Sequence, residues 1–326
     1  MNHKQRFIQT LCHRQPEDMV AMMELEFQIH EEYMGESAIL GENYKKLSIK
    51  EKERALYKNA ELFIRTAEKA GHDVIRGINA YWEISPGIPA YWWLPSEEDC
   101  INQIRAIKEI AGNDFFIAGT VGGMIGTIPD GNSIYSFVDE LYENPEGVHK
   151  NAEKKLNDLI DLSLKYIDAG ADGLVNASDL AIGNNTFLSP IQLDEFFFPY
   201  FNRWVNIIKK AGSYSILHSD GNINGIMDQI LASGVDAIQC VDPLAHMDIV
   251  SLKKQVEGKL TLIGNVDCSL LMTGNAEEIE NTCKYVLDNC KYGGGYVFGG
   301  CNAIFKGIPP ENYQVLVDSR KKYGSF

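Results

Sequence analysis

The sequence predicts a single (β/α)8 barrel, and three observations carry that expectation. The first is length. The 326 residues exceed one average domain, yet a barrel commonly runs to about 250 residues or more. The second is an alternation. Short apolar runs that end in polar residues or glycine are followed by segments of helical period, the pattern of βα units around a parallel sheet. The third is the number of such runs: eight, where an open doubly wound sheet more often has about five to seven. No repeat of about 20–50 residues and no low-complexity linker interrupts the pattern. One domain is therefore expected over residues 1–326, with a helical N-terminal extension and an insertion at about 27–71.

The expected strands, in order, are Val20–Glu26, Asp73–Ile78, Phe115–Thr120, Gly173–Ala177, Ser215–His218, Ala237–Val241, Leu260–Gly264 and Tyr296–Gly299. Ser48–Ala70 is rich in Lys and Glu and stops at Gly71, a good residue for a left-handed helix end. Pro145–Ala169 carries Leu156, Leu159, Ile160, Leu162 and Ile167 near helical spacing and stops at Gly170. Pro190–Ala211 follows Ser189, a natural N-cap, and stops at Gly212. Asn222–Ser233, Ala276–Asn289 and Pro310–Tyr323 complete the helices. Glycines 71, 170, 212 and 234 each precede an apolar strand closely, which is expected of αβ loops.

Thirty Lys+Arg against 45 Asp+Glu give a net charge of −15. Such a molecule repels phosphate backbones, so nucleic acid is not an expected partner. The opening residues contain no apolar signal-like run, and no apolar stretch approaches the ~20 residues that span a bilayer. The seven cysteines include no CxxC pair. A reducing cytoplasm and no membrane partner are the expectation, with most cysteines serving as small buried residues.

In a barrel, chemistry sits at the C-terminal ends of the strands. The polar residues expected there include Glu24, Glu26, Asn79, Thr120, Asp179, His218, Asp220, Asp242, Asn265, Asp267, Cys301 and Asn302. His218 ends an apolar run, and Asp220, two residues on, points to the same side of an extended chain. Imidazole, carboxylate and thiolate together suit a borderline metal, and Cys301 can supply the thiolate. A strand-end histidine also serves as a hydrogen-bonded spacer, and Cys301 as an inert buried residue. Glu24 and Glu26 alternate, so both face one side; two carboxylates at a barrel mouth need a cation or a proton. Glu195, in the following helix, reads as a helix-face carboxylate. Asn79–Pro95 is rich in aromatics and reads either as a loop packed over the barrel or as a wall of the ligand pocket. Gly119–Gly131 is a Gly-rich loop without the spacing of a nucleotide site.

His218-Ser-Asp-Gly-Asn-Ile, Gly234-Val-Asp-Ala-Ile, Ile263-Gly-Asn-Val-Asp and Gly299-Gly-Cys-Asn-Ala-Ile-Phe-Lys-Gly-Ile-Pro-Pro-Glu-Asn-Tyr, taken together, resemble the uroporphyrinogen decarboxylase superfamily. Arg6–Asp18 resembles its opening, and Ser189-Pro190 with Phe198-Pro199-Tyr200 its central helix. The resemblance spans most of the chain and implies a single (β/α)8 barrel. The true decarboxylases carry arginines just after the first strand, which hold a polycarboxylated tetrapyrrole. Here no arginine lies between Arg14 and Arg54, and Glu24, Glu26, Glu31 and Glu32 would repel such a substrate. Cys301 also stands where the decarboxylases have a histidine.

The other branch of the superfamily consists of corrinoid (cobalamin)-dependent methyltransferases, and this chain looks nearer to them. That resemblance implies zinc, held through His218 and Cys301 with Asp220 or Asp179 as a third ligand. It further implies a corrinoid carried on a small partner protein, a small methyl donor (ether or methylamine type) or acceptor thiol, and a homodimer. Glu24, Glu26, Asp179 and Asn265 are then the candidate catalytic residues. Tyr81, Trp82, Trp92, Trp93 and Asn302 are the candidates for binding substrate or corrinoid. A decarboxylase-like enzyme acting on a porphyrin-type tetrapyrrole, and a non-catalytic corrinoid or tetrapyrrole binder, are the alternatives.

Overall fold

Eight parallel strands form one sheet in a computed structural model that describes residues 1–80, 83–85, 87–89, 92–123 and 134–326. They are β1 (Ala21–Met22), β2 (Val74–Arg76), β3 (Phe116–Gly122), β4 (Gly173–Ala177), β5 (Tyr214–His218), β6 (Ala237–Gln239), β7 (Thr261–Ile263) and β8 (Tyr296–Phe298). The spatial order β1-β8-β7-β6-β5-β4-β3-β2 is the sequential order of a (β/α)8 barrel. At the remaining seam, β1 and β2 are joined by Asp73, whose N–H donates to Met22 O and whose Oδ2 accepts the Met22 N–H, both at 2.8 Å.

Several expected strands are longer than the observed ones. Val20–Glu26 shortens to Ala21–Met22, and Glu24 and Glu26 lie beyond the ladder. The chain bends at Leu25, and Phe27 then bridges Ile304. The single helix expected over Pro190–Ala211 is two, Pro190–Phe196 and Phe198–Lys210, which meet at Phe197. Pro199 has no N–H to give to the preceding turn, so the break falls just before it. Ser189 caps the first of the two through the Gln192 N–H. Between β1 and β2, helices at His30–Met34, Gly41–Lys45 and Ile49–Ala70 occupy the expected insertion. Cys12 is exposed and the other six cysteines are buried. Among the described residues no helix is long and apolar enough to cross a membrane.

Two apolar layers hold the fold. The larger lies between strands and outer helices and includes Trp204, Phe197 and Phe201. The smaller fills the barrel itself with Ala21, Val74, Phe116, Ala118, Val175, Ile216, Ala237, Ile263 and Val297. Phe7 and Leu11 of α1 (His3–Leu11) pack against this inner layer from below. One end of the barrel is thus closed by apolar side chains, and the C-terminal strand ends are left for chemistry.

Candidate active site at the barrel mouth

Strand parity builds the site. Side chains two apart on a strand share a face. Two residues beyond the inner apolar layer therefore stand Arg76 (after Val74), Thr120 (after Ala118), His218 (after Ile216), Gln239 (after Ala237) and Asn265 (after Ile263). In register, His218 lies opposite Ala177 of β4 and Gln239 of β6. Asp179 follows Ala177 by two residues, and Asp220 follows His218 by two.

His218, Asp179 and Asp220 converge. His218 Nε2 lies 3.6 Å from Asp179 Oδ1 and 3.8 Å from Asp220 Oδ1. One ligand atom from each of the three fits within a 4.8 Å spread. The imidazole is oriented from behind. Gln239 Nε2 donates to the Cys301 carbonyl at 3.1 Å, which turns Gln239 Oε1 toward His218 Nδ1 at 2.5 Å. That oxygen can only accept, so a ring proton sits on Nδ1, and in the neutral imidazole Nε2 is the nitrogen that presents a lone pair. Asp220 is held by Asn302, whose Nδ2 donates to both carboxylate oxygens at 2.9 and 3.0 Å. The Asp220 N–H donates to Asp179 Oδ1 at 3.1 Å. Burial pushes the Asp220 carboxyl up, the neighbouring Asp179 adds to this, and His218 opposes it. A lone pair and two carboxylates facing one another need a cation or a proton between them.

Cys301 lies outside that group, one thiol away. The Cys240 thiol donates to Asp220 Oδ1 at 3.2 Å and lies beside the Cys301 thiol. Cys301 and Cys268 have their Sγ atoms 3.9 Å apart. The neighbouring Cys240 and Cys268 thiols draw the Cys301 thiol down, while those two thiols are pushed up.

The two glutamates have different surroundings. Glu24 Oε2 accepts the Gly300 N–H at 2.9 Å. A Cβ at Gly299 would collide with the Met23 carbonyl, so the glycine pair lets the last strand lie this close to the first. Glu24 Oε1 lies 3.1 Å from the Tyr313 hydroxyl, which lies 2.5 Å from His72 Nε2. Burial pushes Glu24 up to about 8 and His72 down to about 3. At neutral pH Glu24 is a protonated acid at the head of a short chain ending on a neutral imidazole. Glu26 is also pushed up by burial; its oxygens accept from Gln28 Nε2 at 2.7 Å and Asn79 Nδ2 at 2.9 Å.

This predicts a pH effect. Between about 4.5 and 8 the unfolded chain has released the Glu24 proton and the folded protein keeps it. Unfolding free energy should fall as pH rises through this window and level off above about 8, by at most a few kcal/mol. Glu24→Gln keeps an acceptor for Gly300 and a donor for Tyr313. Denaturant titrations at pH 5, 7 and 9 should show a smaller slope in the variant; equal slopes would mean Glu24 is ionised in the fold.

The remaining expected residues fall in several places. Asn265 is buried and donates from Nδ2 to Val241 O at 2.9 Å, bracing the strand ends. Trp92 stacks on His30 with ring centroids 5.1 Å apart and lines a small cavity with Glu24 and Glu26. Trp93 is buried and packs over Gly41. Asn302 is engaged by Asp220. Tyr81 and Trp82 lie outside the described residues. Sequence reasoning passed over Gln239, Arg76 and the Cys240 and Cys268 thiols. For Gln239 and Arg76 the signal was present: a polar residue closing an apolar run on the interior parity.

Comparisons place this geometry among known proteins. The family model described as uroporphyrinogen decarboxylase (URO-D) matches residues 101–323, about two thirds of the chain. The chain belongs to the uroporphyrinogen decarboxylase family. It is 27% identical over 234 residues to a uroporphyrinogen decarboxylase of Pseudoalteromonas atlantica, covering 69% of this chain and 64% of that protein. It is 26% identical over 250 residues to the chloroplastic uroporphyrinogen decarboxylase 2 of rice, Oryza sativa subsp. japonica, covering 74% and 60%. The chain thus spans about three fifths of the length of these curated relatives. A solved methyltransferase from Methanosarcina mazei shares the fold over 99% of both chains, with a TM-score of 0.75 and 18% identity. A putative vitamin-B12 independent methionine synthase from Listeria monocytogenes does so over 94% of this chain and 98% of that one, with a TM-score of 0.51 and 12% identity.

Proposed function

We propose that the protein is a zinc-dependent methyltransferase of this family. It moves a methyl group between a small methylated substrate, of ether or methylamine type, or a thiol, and a corrinoid carried on a small partner protein. The observation that carries this reading is the convergence of His218 Nε2 with the Asp179 and Asp220 carboxylates, with the imidazole lone pair turned inward by Gln239. The donor set of one nitrogen and two carboxylates suits a divalent zinc ion and leaves room for a further ligand. Cys301, which the sequence pattern adds, is one thiol further out, and Asp179 takes its place as the third ligand. Zinc held there supplies Lewis acidity, at the leaving oxygen or nitrogen of a methylated compound or at an acceptor thiol.

The chain's own residues supply the rest. Gln239 fixes the tautomer of His218, and Asn302 orients Asp220. Protonated Glu24 holds a proton at the mouth that a departing alkoxide or amine can take. The absence of arginine between Arg14 and Arg54 disfavours a polyanionic tetrapyrrole. The decarboxylase names of the curated relatives favour the second reading, decarboxylation of a tetrapyrrole, which needs no metal.

Elemental analysis of untagged protein purified without chelator tests the first reading. About one zinc per chain is expected, together with methyl transfer to or from a free corrinoid, followed by its visible spectrum. Gln239→Leu should weaken zinc binding by about 10–100-fold, as loss of an orienting partner does. No zinc after incubation with the metal, with turnover of a tetrapyrrole instead, would reverse the choice between the two.

A further inference from the structure

Among the described residues, no carboxylate forms an ion pair with the guanidinium of Arg76. Arg76 ends β2 on the interior face, and its Nη2 donates to Thr120 Oγ1. Its Nε and Nη1 are shielded from water and donate to no group among the described residues. Glu26 is the carboxylate that acts on Arg76, but its hydrogen bonds go to Gln28 and Asn79 rather than to the guanidinium. A cavity of about 40 Å³ adjoins the guanidinium, lined by Glu24, Glu26, His30, His72 and Trp92 beside Arg76 itself. Burial pushes both His30 and His72 down to about 3, so neither adds charge at neutral pH. Glu24 carries its proton. Among the described residues that line this cavity, Arg76 is therefore the cation and Glu26 the carboxylate that acts on it.

A guanidinium cut off from water with two idle nitrogens is among the costliest groups to bury alone. Its planar donor fork matches the paired oxygens of a carboxylate, as it does those of the bulkier phosphate. The cavity has room for one small oxyanion group or about three waters. It is too small for the several acidic arms of a tetrapyrrole. Glu26 feels both His218 and Arg76, which sets the cavity beside the triad. The aromatic wall of Trp92, Phe27 and Phe63 suits an apolar stem.

We propose that Arg76 and this cavity form a carboxylate-binding subsite, so that the small substrate is a methylated compound, or an acceptor, bearing one carboxylate. The carboxylate pairs with Arg76 and the reacting end faces Asp179, His218 and Asp220. The assignment rests on the methyltransferase reading for its reaction, but its own test does not.

The test uses the full chain at fixed ionic strength, with propionate, propionamide, methanesulfonate, inorganic phosphate and uroporphyrin as probes. Thermal midpoint and tryptophan fluorescence are followed in the wild type, Arg76→Gln and Arg76→Lys. Propionate should give a saturable rise in midpoint, and the other probes little or none. Arg76→Gln should weaken propionate binding at least about tenfold, since a buried charge pair is lost. Its ligand-free midpoint should stay level or rise, because two buried donors without acceptors have gone. Arg76→Lys keeps the charge without the planar fork, and its affinity should fall between the two; it carries the test should the Gln variant not fold. Undiminished propionate binding in the variants, or a response to phosphate or methanesulfonate equal to that of propionate, overturns the proposal. So does uroporphyrin binding with no response to propionate. Zinc content is read on the same samples. Its loss with propionate binding intact counts against the metal reading alone, and the reverse result counts against the subsite alone.

Discussion

Asp73→Ala is expected to destabilise the fold by about 3–5 kcal/mol, the cost of leaving a buried charge without its partner. Asp73 is fully buried. Its Oδ1 accepts from Arg6 Nη1 at 2.5 Å and lies 2.9 Å from His3 Nδ1; its Oδ2 accepts from Arg320 Nη2 at 3.0 Å and the Met22 N–H at 2.8 Å. Arg6 comes from α1 beneath the barrel and Arg320 from the last helix, Pro310–Tyr323. One carboxylate therefore joins the first helix, the last helix and the β1–β2 seam. Removing it strands Arg320, whose other bonds go to the carbonyls of Val20 and Gly71. It also unpairs a strand amide where no second ladder bond compensates. Arg6 keeps Asp18, at 2.5 Å, so the loss is shared unequally. For a chain of this size such a loss lowers the melting midpoint by roughly 5 °C. Thermal and urea unfolding would measure it. A change below about 1 kcal/mol would mean that the seam is held by its backbone bond and outer packing alone.

His218→Ala is expected to abolish metal retention, weakening zinc binding by more than the 10–100-fold that loss of an orienting partner costs. It should take methyl transfer with it. Alanine also leaves Gln239 Oε1 without a donor, which adds about 1–3 kcal/mol of destabilisation unrelated to the metal. His218→Gln separates the effects, since its amide can still donate toward Gln239 while offering no imidazole. Zinc per chain, circular dichroism and turnover on both variants give the answer. Loss of zinc and turnover with a native spectrum in His218→Gln supports the site. Full turnover in either variant would place the chemistry elsewhere.

The Asp73 result depends on a contact that no local pattern announces. Asp73 was legible as the first residue of a strand, but its partners lie 67 and 247 positions away. The barrel itself was far more legible. Alternating apolar runs, glycine stops and helix caps are local signals, and they placed all eight strands. They overran the ends because the apolar–polar alternation continues past the last ladder bond, as at Glu24 and Glu26, where the chain bends at Leu25. His218 and Asp220 were legible from their spacing of two.

Periodicity therefore settles what one element can settle by itself: which residues are strand or helix, which face is apolar, and which polar residues end the inner face. The sequence alone determined the barrel, its polar mouth, and the pairing of His218 with Asp220 on one side. Whether those side chains meet depends on register between strands and on loop paths that bring distant positions within hydrogen-bond reach. Only the tertiary structure decided that Asp179 joins His218, that Gln239 turns the imidazole, and that Cys301 stands behind Cys240. It alone left two buried nitrogens of Arg76 without an acceptor among the described residues, because pairing and burial belong to the whole fold and not to any one segment.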